Sequence, residues 1–440
     1  MTKIIAIFLL NLQKTNKNND NMKNQKLLLC GVAAAAMSFC AEAMASDYTA
    51  MRAGVSADEP KIENPDSTGF KFTDVKVNPT GTVKDQNKSG TCWAFSGLST
   101  LEDNVQRKTG RVLDLSEMYV VRKAYEEKAD KYIRMGGKTN FSQGGSFGDV
   151  VNMVAKYGAM PEEAYAGLNY GEKKHSHYEL ADAMEAYLNS ILKHGQRGQL
   201  STAWKAGFEG ILDAYLGKVP ETFVYEGKTY TPQEWAKAMG LEPEKFTNFI
   251  SYTHHPFYSW AMLEVPDNWA WTESMNVPME DMQRLVDNSL EKGINVMWAA
   301  DVSEGGFKWN KGYAVLPAGK DDKDMTETEL ARWVKLSDRD REKSKFDIKG
   351  PVKEEAPTQE SRQKSFDNYQ TTDDHGMVIV GIAKDQEGNK YYKVKNSWDT
   401  NQIYDGFFYV SVPYFLEKTL GVGIHQDAIP ADIAKKMPKQ

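Results

Sequence analysis

Four residues of this chain have types and settings that suit acyl transfer at a carbonyl. Cys92 lies in Gln86-Asn87-Lys88-Ser89-Gly90-Thr91-Cys92-Trp93-Ala94-Phe95-Ser96, just after a polar turn and at the head of a helical pattern. A sulfur at a helix N-terminus is favoured as the thiolate, its nucleophilic form. His375, in Asp373-Asp374-His375-Gly376, precedes the apolar run Met377–Ile382 and so stands at a strand entrance. An imidazole placed there can take and return a proton. Asn396 follows the alternating segment Tyr392-Lys393-Val394-Lys395 and can accept the imidazole N–H, fixing the ring. Gln86 precedes the sulfur by six residues, where its amide can aim at an oxyanion together with the Cys92 backbone N–H. A thiolate, a base, an orienter and two oxyanion donors are the parts of a cysteine hydrolase.

The bulk of the sequence sharpens the case for Cys92. The chain has 440 residues and three cysteines, and Cys30 and Cys40 fall in an apolar N-terminal stretch. From Met22 that stretch has a positive start (Lys23, Lys26), an apolar centre (Leu27 to Phe39) and the small-residue site Ala43-Met44-Ala45. This is the pattern of a secretory signal cleaved before Ser46, with Met1 to Asn21 an upstream extension. Residues 1–45 carry five Lys/Arg and two Asp/Glu, so the remaining 395 residues have a net charge of −10. An acidic chain of that length can bury a large core, and it argues against nucleic acid or an anionic membrane as partner. No later run reaches the roughly 18 apolar residues of a membrane helix. A periplasmic or secreted location is expected, and one unpaired thiol in such a compartment stands out as reactive.

Periodicity supplies the elements that must hold these groups. Phe95, Leu98, Leu101 and Val105 form one helical face from Cys92 to Lys108, stopping at Gly110. Ser116 reads as the N-cap of a second helix to about Arg134, and Gln143-Gly144-Gly145-Ser146 leads into a third, Phe147 to Tyr157. From about Tyr170 to Met275 helical patterns dominate (Glu179–Leu192, Thr202–Tyr215, Pro232–Met239), and an insertion over residues 166–275 is predicted to be mostly helical. A helix from Met279 to Glu291 leads into a strand at Ile294–Ala299. Asp321 to Glu355 reads as a solvated loop with one helix near Thr326–Lys335. Strands follow at Met377–Ile382, Lys390–Val394 and Phe407–Val412, and a short helix at Ala431–Met437. Helices first and strands last make an α+β arrangement. The divisions are 1–45 leader, 46–165 helical part with the nucleophile, 166–275 insertion, and 276–440 β-rich part with His375 and Asn396.

Taken in chain order, Gln86…Cys92-Trp93-Ala94-Phe95-Ser96, Leu115-Ser116-Glu117, Gly144-Gly145, His375-Gly376 and Asn396-Ser397-Trp398 resemble the papain-type cysteine peptidases. Tyr252-Thr253-His254-His255-Pro256-Phe257-Tyr258, Val265-Pro266-Asp267-Asn268-Trp269, Ala300-Asp301-Val302-Ser303-Glu304 and Phe366 to Met377 are similar to their bleomycin hydrolase / aminopeptidase C branch. The likeness runs over roughly residues 65 to 430. It implies a two-lobe papain-like fold, a helical lobe with Cys92 and a β-barrel-like lobe with His375 and Asn396. His375 lies 283 residues beyond Cys92, against about 130–150 in compact members of that family. The surplus matches the helical insertion. The resemblance further implies that Trp398 shields the His–Asn hydrogen bond, with Trp93 as support, that Gly144 and Gly145 offer backbone to a bound peptide, and that copies assemble as a hexamer.

The resemblance makes an aminopeptidase the first expectation, through a C-terminal carboxylate that meets the substrate's amino terminus. Here the chain ends Lys436-Met437-Pro438-Lys439-Gln440, short and basic for that branch. Endopeptidase or dipeptidyl-peptidase activity is therefore the alternative. Thiol acyl transfer to an amine would use the same four residues, and a catalytically silent binding subunit would need none of them. His175, His177, His254 and His255 have no carboxylate or cysteine at ligand spacing, so no metal site and no cofactor is expected. Asp373 and Asp374 either tune the base or simply form the turn before its strand.

Overall fold

The computed structural model describes residues 65–438 apart from 196–197, 320–324, 328–330 and 332–333. The expected leader, Gln440 and half of the helix expected near 326–335 lie outside the described residues.

The helices that carry the site come first. α1 (Cys92–Thr109) ends at Gly110, whose φ of 74° is the left-handed cap a glycine adopts without strain. α2 (Glu117–Arg134) opens at Ser116, whose side chain accepts the Tyr119 N–H at 3.0 Å, as its position predicts. α3 (Phe147–Tyr157) starts with a capping box between Ser146 and Asp149. α4 (Tyr178–Gly195), α5 (Ala203–Leu216) and α6 (Pro232–Met239) follow. Leu98 of α1, Val121 of α2, Met184 of α4, Leu212 of α5 and Trp235 of α6 belong to one apolar cluster. The segment expected as an insertion thus shares its core with the helices around Cys92.

The rest of that segment departs from the helical expectation. A hairpin of β2 (Phe223–Tyr225) and β3 (Lys228–Tyr230) precedes α6, turning on Glu226 and Gly227 at φ 49° and 77°. From residue 246 to its end at 275 that segment has no α-helix. β4 (Phe246–Ile250), β5 (Ser259–Met262) and β6 (Glu273–Asn276) join the main sheet, where β4 pairs antiparallel with β13 (Thr419–His425). These strands are short, and the one that ties them to the rest of the sheet, β4, finds its partner β13 far along the chain, so local periodicity does not reveal them.

The main sheet has eleven strands in the order β5-β6-β4-β13-β7-β10-β11-β12-β9-β8, with β1 (Thr73–Val77) also on β10. β7 is Val296–Ala300, β8 Phe307–Lys308, β9 Tyr313–Ala314, β10 His375–Lys384, β11 Lys390–Lys395 and β12 Phe407–Ser411. α7 (Met279–Glu291) leads into β7. This is an α+β, papain-like fold. Its register sets the site: β10 and β11 are antiparallel, with Val378 opposite Lys395. The first residue of β10 is His375 and the residue just past β11 is Asn396, so the pairing brings the two side by side. α1 lies against β10, and Gly376 makes that approach possible. A Cβ there would stand 2.7 Å from Ser96 Oγ and 3.4 Å from the Cys92 carbonyl oxygen.

Candidate active site

The turn before the sulfur is built from its own hydroxyls and amides. Ser89 Oγ donates to the Gln86 carbonyl at 2.7 Å, and its oxygen lies 2.6 Å from Thr91 Oγ1. The Gly90 N–H donates to Gln143 Oε1 at 2.7 Å, and the Trp93 indole N–H to the Gln143 carbonyl at 3.0 Å. Gln143 thereby clamps the residues on both sides of Cys92 to the Gly144-Gly145 turn. Cys92 itself starts α1 and is 8 % exposed.

The base is held as firmly. His375 Nε2 lies 2.7 Å from Asn396 Oδ1. That oxygen also accepts the Ser397 backbone N–H at 2.8 Å, which fixes it as the acceptor end of the amide. His375 Nε2 is then the N–H, and Nδ1 is the basic nitrogen. Trp398 stacks on the imidazole, with centroids 4.5 Å apart and planes at 26°. Trp309 and Phe307 meet Trp398 edge-on and close the far side. The next backbone N–H along, that of Gly376, reaches the Cys92 sulfur.

Gln86 is buried between these groups. Its Nε2 donates to the Ser89 carbonyl at 2.7 Å and its Oε1 accepts from Ser397 Oγ at 2.6 Å, while its backbone N–H donates to the Ser397 carbonyl at 2.9 Å. The amide plane is therefore tied both to the turn of Cys92 and to the segment of Asn396.

The electrostatics differ from the expectation of a sulfur made acidic by its helix. Burial pushes the Cys92 thiol from an ordinary 9.0 up to about 12, and the charges of Asp267 and Asp373 act in the same direction. The backbone N–H groups of Gly376 and Trp93 oppose this without reversing it. The helix terminus does not overcome desolvation. The thiolate can form only together with an acceptor for its proton, which is the role an adjacent imidazole can fill.

Asp373 and Asp374 separate into two environments. Asp374 accepts from the Val302 N–H at 3.1 Å and Thr372 Oγ1 at 2.8 Å. Burial, then a hydrogen bond with Asp301, raises it to about 8. Asp373 is raised to about 8 by burial and then by the charge of Asp267. Beneath the glycine turn, the Lys128 ammonium donates to the carbonyls of Ser142 and Gly144. Burial lowers it to about 8, against the pull of Asp267 and Asp149.

Residues 68–205 match the papain family cysteine proteases and residues 352–440 the peptidase C1-like family. Aminopeptidase C of Lactobacillus delbrueckii subsp. lactis is 22% identical over 404 residues, covering 81% of this chain and 82% of that protein. Bleomycin hydrolase of Gallus gallus is 22% identical, covering 81% and 83%. The chain belongs to the papain-type cysteine peptidases. Its branch is that of aminopeptidase C and bleomycin hydrolase. The solved structure of PepW from Lactobacillus rhamnosis HN001 shares the fold, with a TM-score of 0.64 at 18% identity over 96% of this chain and 95% of that one.

In this peptidase the other histidines have distinct places. Burial lowers His175 to about 4 and His177 to about 3, so both rings are neutral. Their backbones bridge Lys88 and hold the loop ahead of the nucleophile. The pair His254 and His255 corrects the expectation that it lacks a carboxylate. Glu264, carried back by β5, lies 3.0 Å from His254 Nε2 and 2.9 Å from His255 Nε2. Among the described residues these are the three donors grouped closely enough to share one ion. Lys128 has no signal in the sequence, where it reads as one more charge on a helix, and Asp267 stands there only within the Val265–Trp269 likeness, with no role of its own. Towards the end of the described residues, Asp432 accepts from Arg284 of α7 at 2.9 Å and Lys436 donates to Tyr258 Oη at 3.0 Å.

Proposed function

We propose that this peptidase is an exported aminopeptidase. The observation that carries the chemistry is the hydrogen-bonded seam of His375, Asn396, Ser397 and Gln86, with the Gly376 N–H next to His375 reaching the Cys92 sulfur. His375 Nδ1 takes the Cys92 proton as the sulfur attacks the scissile carbonyl. The Cys92 backbone N–H and the Gln86 amide receive the oxyanion. The imidazolium returns its proton to the leaving amine, and a thioester remains on Cys92. Water, deprotonated by His375, cleaves that thioester and restores the thiol. Asn396 holds the ring to one tautomer throughout, and Trp398 keeps solvent from their bond. The Gly144-Gly145 turn offers its backbone to the peptide.

Three lines support the finer reading. Relatives over four-fifths of the chain are named aminopeptidases C and G. The Lys23–Ala45 pattern supports export. A cleft with carboxylates near the nucleophile suits a positively charged substrate end. A product map by mass spectrometry, using one peptide with a free amino terminus and its acetylated twin, tests the reading. Stepwise loss of amino-terminal residues from the free peptide alone is expected. Internal cleavage of both peptides would make it an endopeptidase, release of residue pairs a dipeptidyl peptidase, and no cleavage a silent relative.

A further inference from the structure

We propose that Lys128 is a positioning residue for catalysis: it sets the backbone of Gln143, and through Gln143 the turn that carries Cys92. This rests on the oxyanion role given above to the Cys92 N–H and the Gln86 amide, and adds the group that holds their turn from the helix side.

The placement of one ammonium carries the argument. Lys128 lies on α2 and is 1 % exposed. Its Nζ donates to the Ser142 carbonyl at 2.9 Å and to the Gly144 carbonyl. The rings of Tyr125 and Trp269, with centroids 5.9 Å and 5.6 Å from Nζ, wall it in. An ammonium is costly to desolvate, and a methionine would fill the same space without that cost. What a methionine lacks is a pair of donors for two carbonyls of one turn.

Those two carbonyls flank Gln143, whose own carbonyl accepts the Trp93 indole N–H at 3.0 Å. Three consecutive peptide units, from Ser142 to Gly145, are thus each held by a side chain of α1 or α2. A peptide unit is planar, so holding three in a row sets both soft dihedrals of Gln143 and of Gly144. The Cα–Cβ bond of Gln143 then has one direction, and its Oε1 meets the Gly90 N–H at 2.7 Å. The turn has no slack elsewhere. A Cβ on Gly144 would stand 1.7 Å from Asp267 Oδ2, and one on Gly145 would stand 2.9 Å from two carbons of the Trp93 indole.

Gly90 and Trp93 bracket Thr91 and Cys92, and Gln143 holds both. An error in the Gln143 dihedrals therefore passes to the Cys92 N–H. The Ser89 carbonyl, one residue before Gly90, accepts from Gln86 Nε2 at 2.7 Å, so the second oxyanion donor moves with the first. The thiol–imidazole pair has separate supports in Asn396, Trp398 and the Gly376 N–H. Loss of the ammonium should blunt oxyanion stabilisation and leave formation of the thiolate intact.

The test uses the full chain carrying Lys128→Met. For a peptide arylamide, kcat should fall at least about tenfold with KM little changed, because a misaimed oxyanion donor is missed in the transition state. A peptide aldehyde adds the Cys92 sulfur at its carbonyl carbon and sets its oxygen at the oxyanion position, so its Ki should rise by about the same factor. Alkylation of Cys92 by iodoacetamide should keep its wild-type rate, whereas a general loosening of the fold would change all three. Gln143→Ala should show the same pattern, and Lys128→Met added to it should cost less than about twofold more, since both act through one relay. If Lys128→Met does not fold, Lys128→Gln takes its place, its shorter amide being unable to span both carbonyls. Folded variants with wild-type kcat and aldehyde affinity, a loss confined to KM, a parallel loss of alkylation, or a loss that adds in full to that of Gln143→Ala would each overturn the proposal. A wild type that binds the aldehyde no better than the matching peptide alcohol would instead overturn the oxyanion reading on which it rests.

Discussion

His375→Ala isolates what the cleft alone does to Cys92. Without the imidazole the thiol keeps its burial and the two nearby carboxylates, so its pKa should stay near about 12 instead of 9.0. Three units leave about 10³-fold less thiolate at neutral pH. A more basic thiolate is also a better nucleophile, with a slope of about 0.4–0.5 per unit, which returns about twentyfold or thirtyfold. Alkylation by iodoacetamide at neutral pH should therefore be about 30- to 50-fold slower than for an ordinary exposed thiol. Wild type should behave in the opposite way and label below pH 7, because there the proton has His375 to go to. Mass spectrometry of labelled Cys92 over pH 5 to pH 10 (about that window suffices) reads both profiles. If His375→Ala labels with the rate and midpoint of an ordinary thiol, the reasoning from burial and carboxylates fails. If wild type follows one ordinary thiol titration, the thiol–imidazole pair fails.

Other substitutions report on separate parts of the machinery. Cys92→Ala should abolish peptide hydrolysis with the thermal midpoint preserved; turnover retained by a purified variant would remove the sulfur from the mechanism. Ser397→Ala takes away the donor to Gln86 Oε1. It should lower kcat about tenfold with little change in KM, since a misaligned oxyanion donor is missed only in the transition state; a change confined to KM would refute that role. Asp374 is raised to about 8 when folded, from an ordinary 3.8. Its contribution is present in full below the lower value and is lost as pH rises through the upper one, at up to about 1.4 kcal/mol per pH unit. Asp374→Asn keeps an acceptor for Val302 and a donor for Asp301. In urea unfolding it should flatten the decline in stability between pH 4 and pH 8 (about those limits), and an unchanged slope would place the proton elsewhere.

The candidate catalytic residues are legible because each carries a local signature. A cysteine heading an amphipathic helix, a histidine before an apolar run and an asparagine after an alternating one can be placed without tertiary knowledge. The strand registers then complete what the signatures begin. Less could be read where distant segments meet. Glu264 reaches His254 and His255 only because β5 turns back, and Asp267 reaches Asn140 across 127 residues of chain. β4, β5 and β6 sit in a stretch whose neighbours are helical, and β13, the strand that joins β4 to the main sheet, comes much later. The thiol of Cys92 departs from the acidity its helix terminus suggests for a related reason. The helix terminus is visible in sequence, whereas the burial and the two carboxylates that outweigh it are not.

The seam around Gln86 has a mechanical consequence. Residues 85–91 are stitched to the sheet side by the Gln86 and Ser397 bonds and the Asp85–Trp398 bridge, and to the helix side by the Lys88–Ser176 bridge and the Gly90–Gln143 bond. Any force that prises the two sides apart must break a stitch on one side or the other, and Gln86 and Cys92 share that thread. Parting the two sides would therefore pull Gln86 or Cys92 out of its place. A peptidase sprung in this way would fall silent on stretching or partial unfolding before it could cut indiscriminately, and would regain activity only when the thread is drawn tight again.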